Sequence, residues 1–309
     1  MIYWKSKTLL VKPEGDYGVD SAPTGAANAI LALNVRLSPM EGQDTERDLE
    51  TVHFGANPTI PTGVYQRLTF DVEAVPSGAA GTAPAWGPLL RMCAVAEVID
   101  AGVSVEYSPI TEDPESGSIY FAVGQTRHVM LGARGTVTLK LNAQGVPVFS
   151  FTMTGLFTVP TKVPAVNPDL SAFQKPQVAS KANTPTFTIG GTAFVMRNLE
   201  LDLGNDVQTR LLVGQEAIRI VDKAEKVTAQ VEAVELDVYN PYTIALSQAE
   251  QAIQLIHGTG AGRIMQIDIP AAQQMRPTGY DPQQNIAEWP LGFTPLPQDG
   301  DDQWLLTLK

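Results

Sequence analysis

The sequence predicts a mainly β chain organised as two tandem halves, and three observations carry that reading. Residues 65–75 alternate, with Tyr65, Arg67, Thr69, Asp71 and Glu73 on one face and Leu68, Phe70, Val72 and Ala74 on the other. A period of two with aromatic and β-branched residues describes a strand with one buried face. A second alternating stretch, residues 226–234, closes on the same Val-Glu-Ala-Val that ends the first at residues 72–75. Each is preceded by another alternating strand and followed by a short amphipathic helix, so one order of elements occurs twice. Finally, only 17% of residues are charged while Gly (26) and Pro (23) are plentiful, a composition of many strands and turns.

In chain order, residues 7–11 and 29–37 read as strands, the second stopped by Pro39. Residues 41–61 form a long connection carrying Glu41, Asp44, Glu46, Arg47, Asp48 and Glu50. Long connections inside compact domains are uncommon. This one is either a solvated hairpin or an arm that reaches an adjacent subunit. After the strand at 65–75, a Gly/Ala/Pro break leads to a helix over residues 86–97. Leu89, Leu90, Met92, Cys93 and Ala96 share its apolar side and Pro88 sits near its start. Strands at 103–107 and 118–123 precede a long hairpin, 127–141 with 146–158, turning at residues 142–145. Val137, Leu139, Leu141, Phe149, Phe151 and Met153 give it an apolar face. Thr136, Thr138, Lys140, Ser150, Thr152 and Thr154 give it a polar face.

Residues 161–185 are Pro-rich and weakly periodic, which predicts a linker between a first domain, 1–160, and a second, 186–309. The second half reads as strands at 186–189, 193–203, 208–213, 216–221 and 226–236. A helix over 242–252, entered through Pro241, and strands at 253–256, 263–269 and 303–308 complete it. Residues 275–297 look irregular, an insertion that splits the last hairpin.

Net charge is −12, from 33 acids against 21 bases, which argues against a protein that grips nucleic acid by neutralising phosphates. The single cysteine, Cys93, excludes an internal disulfide, and its apolar setting points to packing. His53, His128 and His257 have no metal-ligand spacing, and no Gly-x-Ser-x-Gly, P-loop or Cys-x-x-Cys occurs. Residues 258–262, Gly-Thr-Gly-Ala-Gly, precede a strand pattern and so lack the helix that a phosphate loop needs. The acidic groups Glu112 with Asp113, and Asp299 with Asp301 and Asp302, read as turns. No catalytic, cofactor or metal site is expected. The N-terminal run has no signal-peptide core and no apolar stretch is long enough to span a bilayer, so a soluble, unexported protein is expected.

Specific runs carry a family resemblance. They are residues 60–78 (Ile-Pro-Thr-Gly-Val-Tyr-Gln-Arg-Leu-Thr-Phe-Asp-Val-Glu-Ala-Val-Pro-Ser-Gly), 83–91 (Ala-Pro-Ala-Trp-Gly-Pro-Leu-Leu-Arg), 148–156 (Val-Phe-Ser-Phe-Thr-Met-Thr-Gly-Leu) and 201–205 (Leu-Asp-Leu-Gly-Asn). Over most of residues 20–240 the chain resembles the major tail tube protein of long-tailed bacteriophages. The resemblance implies a structural subunit of the virion tail, assembled in the host bacterial cytoplasm. It implies two tail-tube-like β-sandwich or barrel domains, each with a short flanking helix. Its partners would be other copies of itself in stacked rings, a trimer with pseudo-six-fold symmetry being preferred over a hexamer. Tape measure, tail terminator and baseplate or tail-tip proteins would join them, with genomic DNA passing through the lumen unbound. In that setting residues 41–61 would make the inter-ring contact, and the polar face of the long hairpin would be a ring interface or line the channel. A competing reading is a carbohydrate- or host-binding β-sandwich module, with Trp86, Trp289, Trp304 and Tyr280 as exposed stacking residues.

Overall fold

The computed structural model describes residues 3–309; Met1 and Ile2, the start of the N-terminal run, lie outside them. The first half comprises β1 (Lys7–Pro13), β2 (Ala32–Glu46), β3 (Thr59–Glu73), α1 (Gly87–Arg91), β4 (Val95–Asp100), β5 (Ser104–Pro109), β6 (Gly117–Val123), β7 (Thr126–Asn142) and β8 (Val148–Leu156). Then come β9 (Thr161–Lys162), β10 (Thr186–Ile189), β11 (Thr192–Ala193), β12 (Met196–Asp202), β13 (Asn205–Leu212), β14 (Gln215–Lys223) and β15 (Lys226–Glu232). The chain finishes with α2 (Pro241–Ser247), β16 (Glu250–His257), β17 (Met265–Gln274), β18 (Asp281–Gln283), β19 (Ile286–Pro295) and β20 (Leu305–Leu308). It is mainly β, and every strand pairing named below is antiparallel.

One sheet runs β2–β3–β8–β7–β12–β15–β19–β18. Alternation puts a buried row straight across it: Val72, Phe149, Leu139, Leu201, Val227 and Phe293 lie opposite one another in turn. A second sheet runs β4–β5–β20–β17–β16–β10–β11. Its row is Tyr107, Leu306, Ile267, Leu255 and Phe187, again buried throughout. Stacking such apolar faces is what makes a sandwich. Buried residues of both halves form one contiguous core cluster. β1 and β6 extend the first half along the N-terminal part of β7.

Both sheets cross between the halves, β7 pairing with β12 and β20 with β5. Within each half the order is alike. β3 lies between β2 and β8, as β15 lies between β12 and β19. A hairpin arm leaves between the first two strands in both cases: residues 47–58 at the tip of β2–β3, and β13–β14 between β12 and β15. A helix opened by proline follows each central strand, Pro88 in α1 and Pro241 in α2. Just upstream, Trp86 packs on Phe149 (ring centroids 4.9 Å) and Tyr239 on Trp289 (6.3 Å).

Several expectations are corrected. The helix expected over 86–97 spans only Gly87–Arg91, and Val95–Asp100 is a strand paired with β5. Ala94 takes φ +58°, which ends the helix, and the β-branched Val95, Val98 and Ile99 favour the sheet. The second helix stops at Ser247 for the same reason, Gln248 having φ +56°. The 41–61 connection is strand at both ends, since β2 reaches Glu46 and β3 begins at Thr59, and only residues 47–58 between them are loop. Residues 275–297 are not irregular: β19 runs through Ile286–Pro295 with Trp289, Leu291 and Phe293 buried. Pro290 hid that pattern. It is tolerated because that flank of β19 meets the 275–280 loop, as Gly292 accepting from the Met275 N–H shows. The Pro-rich segment is also docked: the Gln144 and Ala179 amides donate to Ala179 and Gly145 carbonyls.

Replacing Trp86, fully buried and donating its indole N–H to the Val75 carbonyl at 2.8 Å, tests the core. Trp86→Ala is expected to cost about 3–5 kcal/mol in urea unfolding. A pH test rests on His257, buried with Nδ1 accepting from the Thr184 hydroxyl (2.9 Å) and Nε2 donating to the Gln177 carbonyl (3.2 Å). Burial holds its pKa below the ordinary 6.5. A depressed histidine stabilises the fold above its unfolded value and loses that contribution as pH falls. Acidification below 6.5 is therefore expected to lower the amide-exchange protection factors of residues 177–184, and His257→Gln to flatten that dependence.

Candidate functional site

The face of the first sheet opposite its buried row is polar. Thr136 lies opposite Thr152 and Thr138 opposite Ser150, with Thr69 and Asp71 continuing the rows on β3. On the far side of β7, Lys140 faces Glu200 and Thr138 faces Asp202, to which its hydroxyl donates at 3.1 Å. Asp202 in turn faces Lys226. Lys140 and Lys226 on this face are thus met by acids. Arg67 adds an ion pair with Glu41 at 3.6 Å, and the exposure of both keeps it weak. Thr136, Thr138, Lys140, Ser150 and Thr152 are half-buried and Thr154 is buried opposite Arg134. The free edge of their hairpin is taken by β12 of the same chain.

The two arms differ in their surroundings. Residues 47–58 stand clear of the body, carrying Arg47, Asp48 and Glu50, with Val52 and Phe54 almost fully exposed. Glu41, Asp44 and Glu46 lie on β2 at the arm's base, where Asp44 faces Pro61 and Glu46 faces Thr59. The β13–β14 arm is held down on the first half. Arg134 donates to the carbonyls of Ile218 (3.0 Å), Pro114 (2.6 Å) and Glu115 (3.3 Å). The Ile218 amide donates to the Tyr17 hydroxyl, and Tyr17 donates to the Gly132 carbonyl. Asn205 bonds the Cys93 and Gly135 carbonyls, and Lys223 those of Ala94 and Ile110. Burial keeps the Lys223 ammonium below its usual range. Tyr17, Arg134 and Asn205 were missed from the sequence. The Gly204-Asn205 pair was the available signal, since Gly204 at φ +57° turns the chain into the arm.

The stacking residues expected of a glycan-binding module do not form a surface. Trp86, Trp289 and Trp304 are buried, and only Tyr280 is exposed. Cys93 is wholly buried, which pushes its thiol up and away from the reactive thiolate. Among the described residues no group of three or more His, Cys, Asp or Glu is placed to hold a metal ion. The 258–262 loop docks on the 76–82 turn, its Gly262 carbonyl accepting from the Gly78 amide. No helix among the described residues is long and apolar enough to cross a membrane.

A family model described as "Phage tail tube protein" matches residues 4–299. The chain belongs to the phage tail tube proteins. No curated protein sequence matches it. Tail tube proteins are structural, generally non-enzymatic components of the virion tail that self-assemble into a tube with other tail proteins. The family match includes both arms and the whole polar face, so these surfaces belong to a tube-forming subunit.

Arg134→Ala is expected to release the β13–β14 arm. Charge-assisted bonds of this kind contribute about 1.5–3 kcal/mol, so exchange of the 205–223 amides should quicken while the β7–β8 amides stay protected.

Proposed function

We propose that this chain is a ring-forming subunit in which two tail-tube-like modules lie in tandem, so that three chains close a ring of six modules. The observation that carries this is the β7–β12 pairing, which joins two sheets of like order edge to edge. Residues 67–75, Arg-Leu-Thr-Phe-Asp-Val-Glu-Ala-Val, and 226–234, Lys-Val-Thr-Ala-Gln-Val-Glu-Ala-Val, occupy the same central place in each. Stacked rings then enclose a lumen lined by the polar sheet face, through which genomic DNA passes. Hydroxyls and acid-matched bases suit that lining, because unneutralised Lys and Arg would hold phosphates and oppose sliding. Tape measure, terminator and tail-tip proteins meet the same tube at its core and ends. Residues 47–58, without a packing partner among the described residues outside the arm, reach an adjacent subunit.

Negative-stain images and mass photometry of the purified protein test this reading. Tubes or rings whose unit is three chains are expected; scattered monomers under all polymerising conditions would overturn it. Replacing residues 47–58 by a two-residue turn is expected to leave unfolding unchanged and abolish tubes.

A further inference from the structure

The chain carries a template for its own subunit interface. In the β7–β12 seam Leu139 faces Leu201 and Lys140 faces Glu200. Register transfers these positions to the chain's two free ends. On β3 and β15, Leu68 and Thr69 occupy the places of Val227 and Thr228. Their partners correspond likewise: Leu37 to Leu201, Arg36 to Glu200 and Ser38 to Asp202. On the other side, Phe149 faces Leu139 in the first half, and Trp289 holds the place of Phe149 in the second. Tyr280 packs on Trp289 at 6.3 Å, and Asp281, next in sequence, faces Glu288 as Lys140 faces Val148. Tyr280 and Asp281 therefore stand where Leu139 and Lys140 stand in the seam.

We propose that β2 of one copy pairs antiparallel with residues 280–283 of a second copy, setting Arg36 against Asp281 and Leu37 against Tyr280. This rests on the ring reading above and names its interface. Three features of the molecule support it. Seam residues Leu139 and Leu201 are buried, whereas Tyr280 is 56% exposed and Leu37 only half-buried, as if each awaited cover. The charges match again, with the sign exchanged: base on β7 and acid on β12 inside the chain, base on β2 and acid on β18 between chains. The third is the arms. The β13–β14 arm lies over the end of the first half, reaching Ala94, in the turn between α1 and β4, and Ile110, which follows β5. The equivalent ground on the second half is Gln248, after α2, and Met275, after β17. Around it Leu246 (84%), Met275 (39%) and Tyr280 are exposed without a covering arm. The partnerless 47–58 arm brings Leu49, Val52 and Phe54 to that ground on the neighbouring copy. On this reading the arm's contact is lateral, within a ring.

A cysteine pair tests it in assembled material. Directly opposed residues in an antiparallel ladder have Cα atoms about 4.5–5.5 Å apart, inside the disulfide window of about 4.4–6.8 Å. Arg36→Cys with Asp281→Cys, oxidised in tubes, is expected to give covalent oligomers that end at three chains on a non-reducing gel. Either single variant should give none, the native Cys93 being buried. Tubes that form but stay uncrosslinked would overturn the seam while leaving the tube reading intact. A ladder ending at six would keep the seam and overturn the three-chain ring. Because loss of both charges could itself impair assembly, Arg36→Glu and Asp281→Lys form a second test. Each alone is expected to raise the critical concentration several-fold, since like charges then face each other, and the double variant to restore it. A double variant no better than the singles would overturn the pairing.

Discussion

The structure depends on the pairing of β7 with β12. A strand edge left open exposes unpaired N–H and C=O groups and invites indiscriminate association. Here the edge of the first half is closed by the first strand of the second. That single ladder makes the buried row Val72–Phe149–Leu139–Leu201–Val227–Phe293 continuous through six strands. Period-two geometry then fixes everything on the other face, because any strand with its apolar residues in that row turns its Thr, Ser and charged residues away. The pairing of β20 with β5 repeats the constraint in the second layer. Both layers run across the halves, and one core cluster spans them.

Most of the first sheet was legible in the sequence because its alternation is clean. Leu68, Phe70 and Val72, or Val137, Leu139 and Leu141, leave no second interpretation of which face is buried. Errors came where local pattern and tertiary context diverge. Leu89 to Ala96 has helical spacing, yet Ala94 turns the chain left-handed and Val95 joins a sheet whose other strands are distant in sequence. Pro290 and Gly292 broke the pattern of β19, and only the neighbouring loop explains why proline is allowed there. Tryptophans are amphipathic, so sequence alone left Trp86 and Trp289 open as surface groups; each is instead a central core residue. The arm contacts were least visible. Arg134 and Tyr17 bond backbone carbonyls and amides far along the chain, and backbone partners leave no residue-specific trace.

In the proposed tube, the polar face would let an acidic protein surround DNA without attracting or trapping it. Strongly acidic walls would raise the work of bringing a duplex inside, and unpaired bases would hold it through counterion release. Neutral rows such as Thr69–Thr152–Thr136 avoid both, and Lys140 and Lys226 each face a carboxylate on the next strand. Charges compensated at the spacing of a sheet present little field beyond a Debye length of about 8 Å at physiological salt.

The reversal of sign between the internal seam and the proposed one between copies also bears on specificity. Two modules of similar shape on one chain raise a problem of choice, since β2 of one copy resembles β12 and might displace it from β7 of another. That exchange would set Arg36 against Lys140 and leave Glu200 to meet Asp281. Both encounters are between like charges placed directly opposite, an arrangement that disfavours a pairing where the correct one is favoured. The internal seam also forms at the effective concentration of a tethered segment, ahead of any encounter between chains. Tethering and charge therefore act in the same direction: β7 finds its own β12 first, and the ends left over match only each other.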